Sequence, residues 1–338
     1  MILSPYNYVS IQKNLCHLKV VLYNSDYKDD WNCFLEQANP ASFLFHRNFM
    51  DYHRDRFCDH SLLFYEGDRL IALLPAHTNE TVLCSHFGLS YGGIIHRASL
   101  TTAAFLALLE LLAEHCKEYQ LEAIILNEIP FIYQHSVNSL MPFVSHALQA
   151  VQHVQMLSTI DFKAPLPLNT NRKRMIQKGI KNGYWIQEDS SATSFWQRIL
   201  IPRLHDRYQA NPVHTIEEIE SLLQAFPQSI KQMNVYNSQG ELVGGTTLFI
   251  HPHVVHLQYI AGNETDNNKG ALDLLIYTLI QHYQTTVRYF DLGSSHLNPK
   301  QLNKGLLYWK ESFGARSIPQ YCYTFQVENL LQARRVID

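Results

Sequence analysis

The sequence lacks several features that would settle its class at once. Its six cysteines stand at positions 16, 33, 58, 84, 116 and 322 with no C-x-x-C pair, which excludes a zinc knuckle and a patterned disulfide framework and fits a reducing compartment. Lys and Arg total 27 and the formal net charge is -3, so the chain as a whole has no pull toward DNA or an anionic membrane, and any anion site must be local. No apolar run approaches the roughly 20 residues that span a bilayer, and the opening MILSPYNYVSIQKNLC has no basic segment followed by an apolar one. A cytoplasmic protein without membrane insertion is expected. No sustained heptads and no low-complexity tract occur, which argues against a coiled-coil arm and against disorder.

What is present is apolar and evenly spread. Hydrophobic residues make up 46% of 338 residues, enough for two cores and more than one core usually holds. Asp29 to Arg56 reads as two short helices around Asn39-Pro40. Two apolar runs then meet at Glu66-Gly67-Asp68, a hairpin signal, and residues 101–119 carry a broad apolar helical face opened by Thr residues that can cap it. EAIILNEI and HVQMLSTIDF read as strands on either side of another helix. Pro165 and Pro167 disfavour both regular structures, so the expected domains are 1–164 and 165–338. In the second half RKRMIQKGIKNG should be a basic helix, followed by helices around Pro202 and over 215–226. A meander turning at Ser238-Gln239-Gly240 and His251-Pro252 comes next, then helix 269–283, strand RYFDLG, helix 303–313 and strand YCYTFQV.

The segment YIAGNETDNNKGALDLLIYTLI ends a strand, crosses a polar loop and starts a helix. Asn268, Lys269, Gly270 and Ala271 there could present free N–H groups to a phosphate, or could simply cap and turn the chain. Further on, a strand ends in Asp291-Leu292-Gly293-Ser294 and a helix carries Trp309-Lys310 before Phe313-Gly314. This D-x-G-S strand end followed by G-L-x-x-[FW]-K-x-x-F-G-A, matched by Asp291, Gly293, Gly305, Leu306, Lys310, Phe313, Gly314 and Ala315, resembles the C-terminal half of the Fem-type aminoacyltransferases and the acetyltransferase-like proteins grouped with them in the GNAT superfamily. The basic helix with Arg174 and Lys181-Asn182-Gly183, and the turn Tyr91-Gly92-Gly93, are similar to further features of that family.

The resemblance implies two tandem GNAT-like α/β domains with mixed, mostly antiparallel sheets flanked by helices, the first degenerate and the second holding the reaction centre. It implies transfer of an acyl or aminoacyl group to an amine such as an amino sugar, an amino acid or a cell-envelope precursor. No cofactor is expected to stay bound; acyl-CoA or another acyl thioester would be a cosubstrate, although the loop Asn267 to Ala271 keeps only one glycine of the usual pyrophosphate motif. Charged tRNA is the alternative donor, disfavoured by the missing coiled-coil arm, and a binding protein that kept the double fold is the alternative outside catalysis.

Within that frame Lys310 is expected to face the substrate channel, where its ammonium could hold negative charge, the alternative being a surface lysine with a packed stem. Asp291 could accept the amine proton or cap a turn, and Tyr259 could line the cleft. Trp309, Arg207 and Ser294 are expected to contact substrate, with Arg207 clamping a carboxylate and Trp309 also readable as core. His251, His253 and His256 are expected to be solvated rather than to bind metal, and Gly293-Ser294-Ser295-His296 lacks the G-x-S-x-G of a nucleophile elbow, so no covalent nucleophile and no metal site is expected.

Overall fold

The structure, a computed structural model, describes residues 18–39, 42–53, 55–135 and 140–337. Cys16 and Pro40 lie outside them. The first half comprises β1 (Leu18–Leu22), α1 (Lys28–Leu35), α2 (Arg47–Met50), β2 (Cys58–Asp59), β3 (Leu62–Glu66), β4 (Arg69–Leu74), β5 (His77–Asn79), β6 (Val82–Cys84), β7 (Ile95–His96), α3 (Thr102–Glu118), β8 (Ala123–Asn127), α4 (Leu140–Ala147) and β9 (Val151–Asp161). The second comprises α5 (Thr170–Lys181), β10 (Trp185–Asp189), α6 (Thr193–Phe195), α7 (Ile201–Tyr208), α8 (Ile216–Ala225), β11 (Ile230–Tyr236), β12 (Leu242–Ile250), β13 (Val254–Gly262), α9 (Glu264–Asn267), α10 (Ala271–Tyr283), β14 (Tyr289–Ser294), β15 (His296–Asn298), β16 (Gln301–Leu302), α11 (Lys304–Glu311), β17 (Arg316–Gln326) and α12 (Val327–Leu330).

Local signals in the sequence place these elements. Gly67 takes φ +59 in the turn between β3 and β4, Thr101 accepts from the Ala104 N–H to start α3, and Thr215 and Glu218 close a reciprocal capping box on α8. Asn169 caps α5 and Gly183, at φ +72, lies just past its end. Pro202 cannot donate to the helix before it, and the chain widens into a π-turn over 196–200 immediately ahead of it.

A four-stranded sheet runs β1-β3-β4-β7, and an eleven-stranded mixed sheet runs β10-β11-β12-β13-β14-β9-β17-β8-β6-β5-β2. Its ladders are antiparallel except β13 with β14 and β6 with β8. The sheet is continuous because β9 lies between β14 and β17, while the far end of β17 pairs with β8. Three buried clusters follow. One joins Trp31, Phe45, Tyr91 and Tyr133 of the first half to Trp196, Phe249 and Tyr289 of the second. Another surrounds α3 and takes in Tyr323, Phe325, Val327 and Leu330, so the segment after residue 322 packs on the first half; the third surrounds α10.

Gly270 sets how closely α5 and α10 approach. Its φ is +94, and a Cβ there would lie 2.2 Å from the Met175 carbonyl oxygen and 2.9 Å from the Gly179 nitrogen. The two helices meet backbone to backbone, which leaves no room for a side chain. Gly270→Ala should therefore cost on the order of 2 kcal/mol or more through strain and overpacking. A urea melt with a wild-type midpoint would show that the helices can part without penalty.

Candidate active site

The parallel pair β13 and β14 forms a ladder only from Val254 to His256 against Tyr289 to Asp291; β13 then runs on to Gly262 and β14 to Ser294 without each other. His256 and Asp291 are the last rung before the strands part. The Asp291 carboxylate is fully buried and accepts from the Tyr133 hydroxyl at 2.7 Å, from the Gly293 N–H at 2.8 Å and from His256 Nδ1 at 3.0 Å. Burial alone would raise its pKa, but His256 and these donors hold it below the usual carboxylate value. It is ionised and enclosed. Tyr133 comes from the first half, so this network stitches the two halves together.

Lys310 sits on the other side of the same strand end. Its side chain is buried and its Nζ donates to the carbonyls of Gly293, at 2.9 Å, and Ser294, at 2.7 Å, at the bulge where β14 loses register with β9. Burial lowers its pKa to about 8, against the pull of nearby Asp291. The Lys310 ammonium, expected to face a channel, satisfies two carbonyls of a bulge, and the Asp291 carboxylate, expected to accept a proton or cap a turn, is enclosed by His256 and Tyr133 and accepts the Gly293 N–H.

A pocket of about 520 Å³ opens near the C-terminal end of β13, between α5, the π-turn with α7, the start of α10 and α11. Ligands commonly bind outside the carboxyl ends of parallel strands and near helix N-termini. Its floor is a buried ion pair between Arg172 and Asp273, to which Trp309 Nε1 donates at 3.0 Å while Arg172 Nε donates to Ser312 at 2.9 Å. Arg174, Arg203 and Arg207 add three further cations, and Leu200, Leu204, Ile260, Leu272 and Leu306 make an apolar wall. Arg203 lies 3.7 Å from exposed Glu264, a pair open to solvent and of small energy. The composition suits a ligand that is anionic at one end and apolar at the other.

Of the residues expected to form the site, Arg207, Asn268 and Trp309 meet in this pocket, Trp309 through its indole on Asp273. Lys269 is exposed; its carbonyl accepts from Asn182, the residue that ends α5, and the Asn268 carbonyl accepts from Lys178 of that helix. Gly270 and Ala271 are buried, and the α5 backbone fills the space beside Gly270 that a phosphate was expected to use. Tyr259 points away from the pocket: its hydroxyl pairs with His214 Nδ1 at 2.6 Å and its ring meets Trp196 edge-on. Ser294 is exposed at the strand end, with its hydroxyl accepting from the His296 N–H.

Of the three histidines expected to be solvated, His251 is not, while His253 and His256 are partly exposed. His251 is buried, stacked on Phe43 with centroids 4.9 Å apart, and its Nε2 lies 3.4 Å from the Tyr91 hydroxyl; burial pushes its pKa down to about 3. His253 meets His135 of the first half at 2.8 Å. Among the described residues no group of three or more His, Cys, Asp or Glu side chains is placed to hold a metal ion. Sequence reading overlooked Arg172 and Arg203 and took His256 only as a solvated histidine; their significance arises only when β13 meets β14 and when α5, α7 and α10 converge.

No protein-family profile and no curated protein matches the chain. Solved structures do. FemX aligns with a TM-score of 0.64 and 10% identity over 93% of this chain and 99% of that one. L-PGS from Bacillus licheniformis aligns at 0.57 and 11% over 93% and 96%. A conserved protein of unknown function from Bacteroides thetaiotaomicron aligns at 0.53 and 10% over 91% and 100%. The fold is shared with FemX, as the resemblance of the motif at 291–315 implies.

Two outcomes follow from these buried titratable groups. Lys310→Met strands two carbonyls and should lower stability by about 1–3 kcal/mol for each, read by urea denaturation; a variant as stable as the wild type would return Lys310 to the surface. His251 titrates near 6.5 when unfolded and near 3 when folded, so the unfolded chain gains its proton first. Stability is full above pH 6.5 and falls as pH drops toward 3, by about 1.4 kcal/mol per pH unit for this imidazole. His251→Gln should reduce the loss between pH 7 and pH 5, and an unchanged loss would assign it to other groups.

Proposed function

We propose that this chain is an N-acyltransferase that moves an acyl or aminoacyl group from an anionic activated donor to an amine. The observation that carries the reading is the arginine-lined pocket at the C-terminal end of β13, in a chain with a Fem-type fold. Arg174, Arg203 and Arg207 supply the cations that the single-glycine loop before α10 does not, since guanidinium groups pair with phosphate through two parallel hydrogen bonds. The apolar wall of Leu200, Leu204, Ile260 and Leu306 suits the acyl end. An acyl thioester such as acyl-CoA meets both requirements.

In such a reaction the chain binds the donor, excludes water from the acyl carbon and brings a neutral amine to it, and positioning supplies much of the rate. The acceptor is an amine of a small molecule, such as an amino sugar or amino acid, or of a cell-envelope precursor. The exposed basic side chains Lys173, Arg174, Lys178 and Lys181 of α5 favour a second donor, a charged tRNA, whose binding would weaken steeply with salt.

The test is thermal stabilisation by acyl-CoA, acyl carrier protein thioesters and charged tRNA, followed by transfer to an amine panel. A donor at about 100 times its dissociation constant adds about 2.7 kcal/mol to stability. Arg174→Ala and Arg203→Ala should each weaken the stabilising donor by roughly tenfold or more, as loss of a charge-assisted contact requires, and leave the melt of the free protein unchanged. Donor affinity unaffected by both variants would remove the pocket from the reaction, and a panel with neither binding nor transfer would sink the acyltransferase reading.

A further inference from the structure

We propose that His256 takes the proton from the attacking amine, with Asp291 and Tyr133 as positioning residues; this rests on the transfer reaction proposed above. The imidazole sits on the last rung of β13 and β14. Its Nδ1 is 3.0 Å from the Asp291 carboxylate, its side chain is 18% exposed, and its Nε2 makes no hydrogen bond among the described residues. Asp291, ionised and 1% exposed, can only accept, so the shared proton resides on Nδ1 and the lone pair is on Nε2. Gly293 leaves the flank of the ring open: a Cβ there would lie 3.5 Å from His256 Cε1, and its φ of +72 disfavours any side chain.

The other titratable groups around His256 are committed elsewhere. His251, at the end of β12, is enclosed and held neutral by burial; Lys310 of α11 is bound to two carbonyls; and Tyr133, from the first half, spends its proton on Asp291 at 2.7 Å. Tyr91, behind Tyr133, is buried against Ser42 and His251. Among these side chains only His256 combines a free lone pair, partial exposure and a buried carboxylate that steadies the imidazolium.

The proton balance is simple. An acceptor arriving as an ammonium gives one proton to His256 Nε2, and the neutral nitrogen attacks the acyl carbon. The C–N bond forms as the C–S bond of a thioester, or the C–O bond of an aminoacyl ester, breaks with its electron pair on the leaving atom. The imidazolium returns its proton to that thiolate or alkoxide, and the second amine proton passes to water. Asp291 stays ionised throughout and fixes the ring. The first half thereby contributes to the chemistry without touching substrate, through the Tyr133 hydroxyl.

His256→Gln should lower kcat by roughly 10²–10⁴-fold and abolish the acid limb of its pH profile, while donor-induced stabilisation stays at the wild-type value. Tyr133→Phe should keep activity but move that limb to higher pH, because a carboxylate relieved of one donor holds the imidazolium more strongly; a merely structural role would leave the limb in place. Independently of turnover, a ¹⁵N-edited NMR spectrum of the free protein should show neutral His256 as the Nδ1–H tautomer. Wild-type kcat and profile in His256→Gln, with donor still bound and transferred, overturns the role of His256 and spares the acyltransferase reading; an Nε2–H tautomer overturns it as well. A wild-type protein that transfers no acyl group from any donor overturns both.

Discussion

A carboxylate that reaches no water must find its hydrogen bonds inside the protein, and Asp291 finds them on three separate elements: Tyr133 in the first half, His256 on β13 and the Gly293 N–H on its own strand. Stranding such a charge costs several kcal/mol, so the three donors cannot move apart independently. The fixed junction is consequential because β13 and β14 diverge immediately beyond it. A splayed parallel pair would slide or close if its last rung were held by backbone bonds alone; here the rung is held by a buried ion and by a lysine that ties down the bulge at Gly293 and Ser294.

The basic pocket depends on a second buried charge pair. Arg172 and Asp273 join α5 to the first turn of α10, and Trp309 and Ser312 join α11 to the same pair. Neutralised there, Asp273 cannot cancel the arginines nearer the opening, so the floor is rigid and close to neutral while Arg174, Arg203 and Arg207 set the sign of the field. The close approach of α5 and α10 at Gly179 and Gly270 brings the first of these cations to the pocket. Packing and electrostatics thus have one origin: a glycine pair that lets two helix backbones touch.

Local chemistry made most elements legible in the sequence. Gly67 announces its hairpin, Thr101 and Thr215 their helices, and Pro202 the break that appears as a π-turn one step earlier. What escaped was partnership over long separations. Nothing in residues 151–161 shows that the strand will lie between β14 and β17, and nothing at His256 shows that Asp291, 35 residues on, will be its neighbour. Lys310 was recognisable as unusual, but whether a lysine near a helix end turns inward or outward depends on whether carbonyls await it, and those belong to a bulge created by β14 and β9. Arg207, Asn268 and Trp309 were found because they flank sequence motifs; Arg172 and Arg203 were not, because their helices converge only in three dimensions.

The long β17 has a consequence for how the protein is made. Tyr323, Phe325, Val327 and Leu330 fill the core around α3, and β8 gains its second neighbour only from residues 322–326. A ribosome delivers the first half long before these residues exist, so during synthesis that half must wait with an open sheet edge and an unfilled core. Folding is then closed from the far end of the chain, in a step that seats both halves together. The nascent first half is the stage at which the protein is most exposed to misassembly, and the presence of a finished α3 core certifies that translation has run through β17.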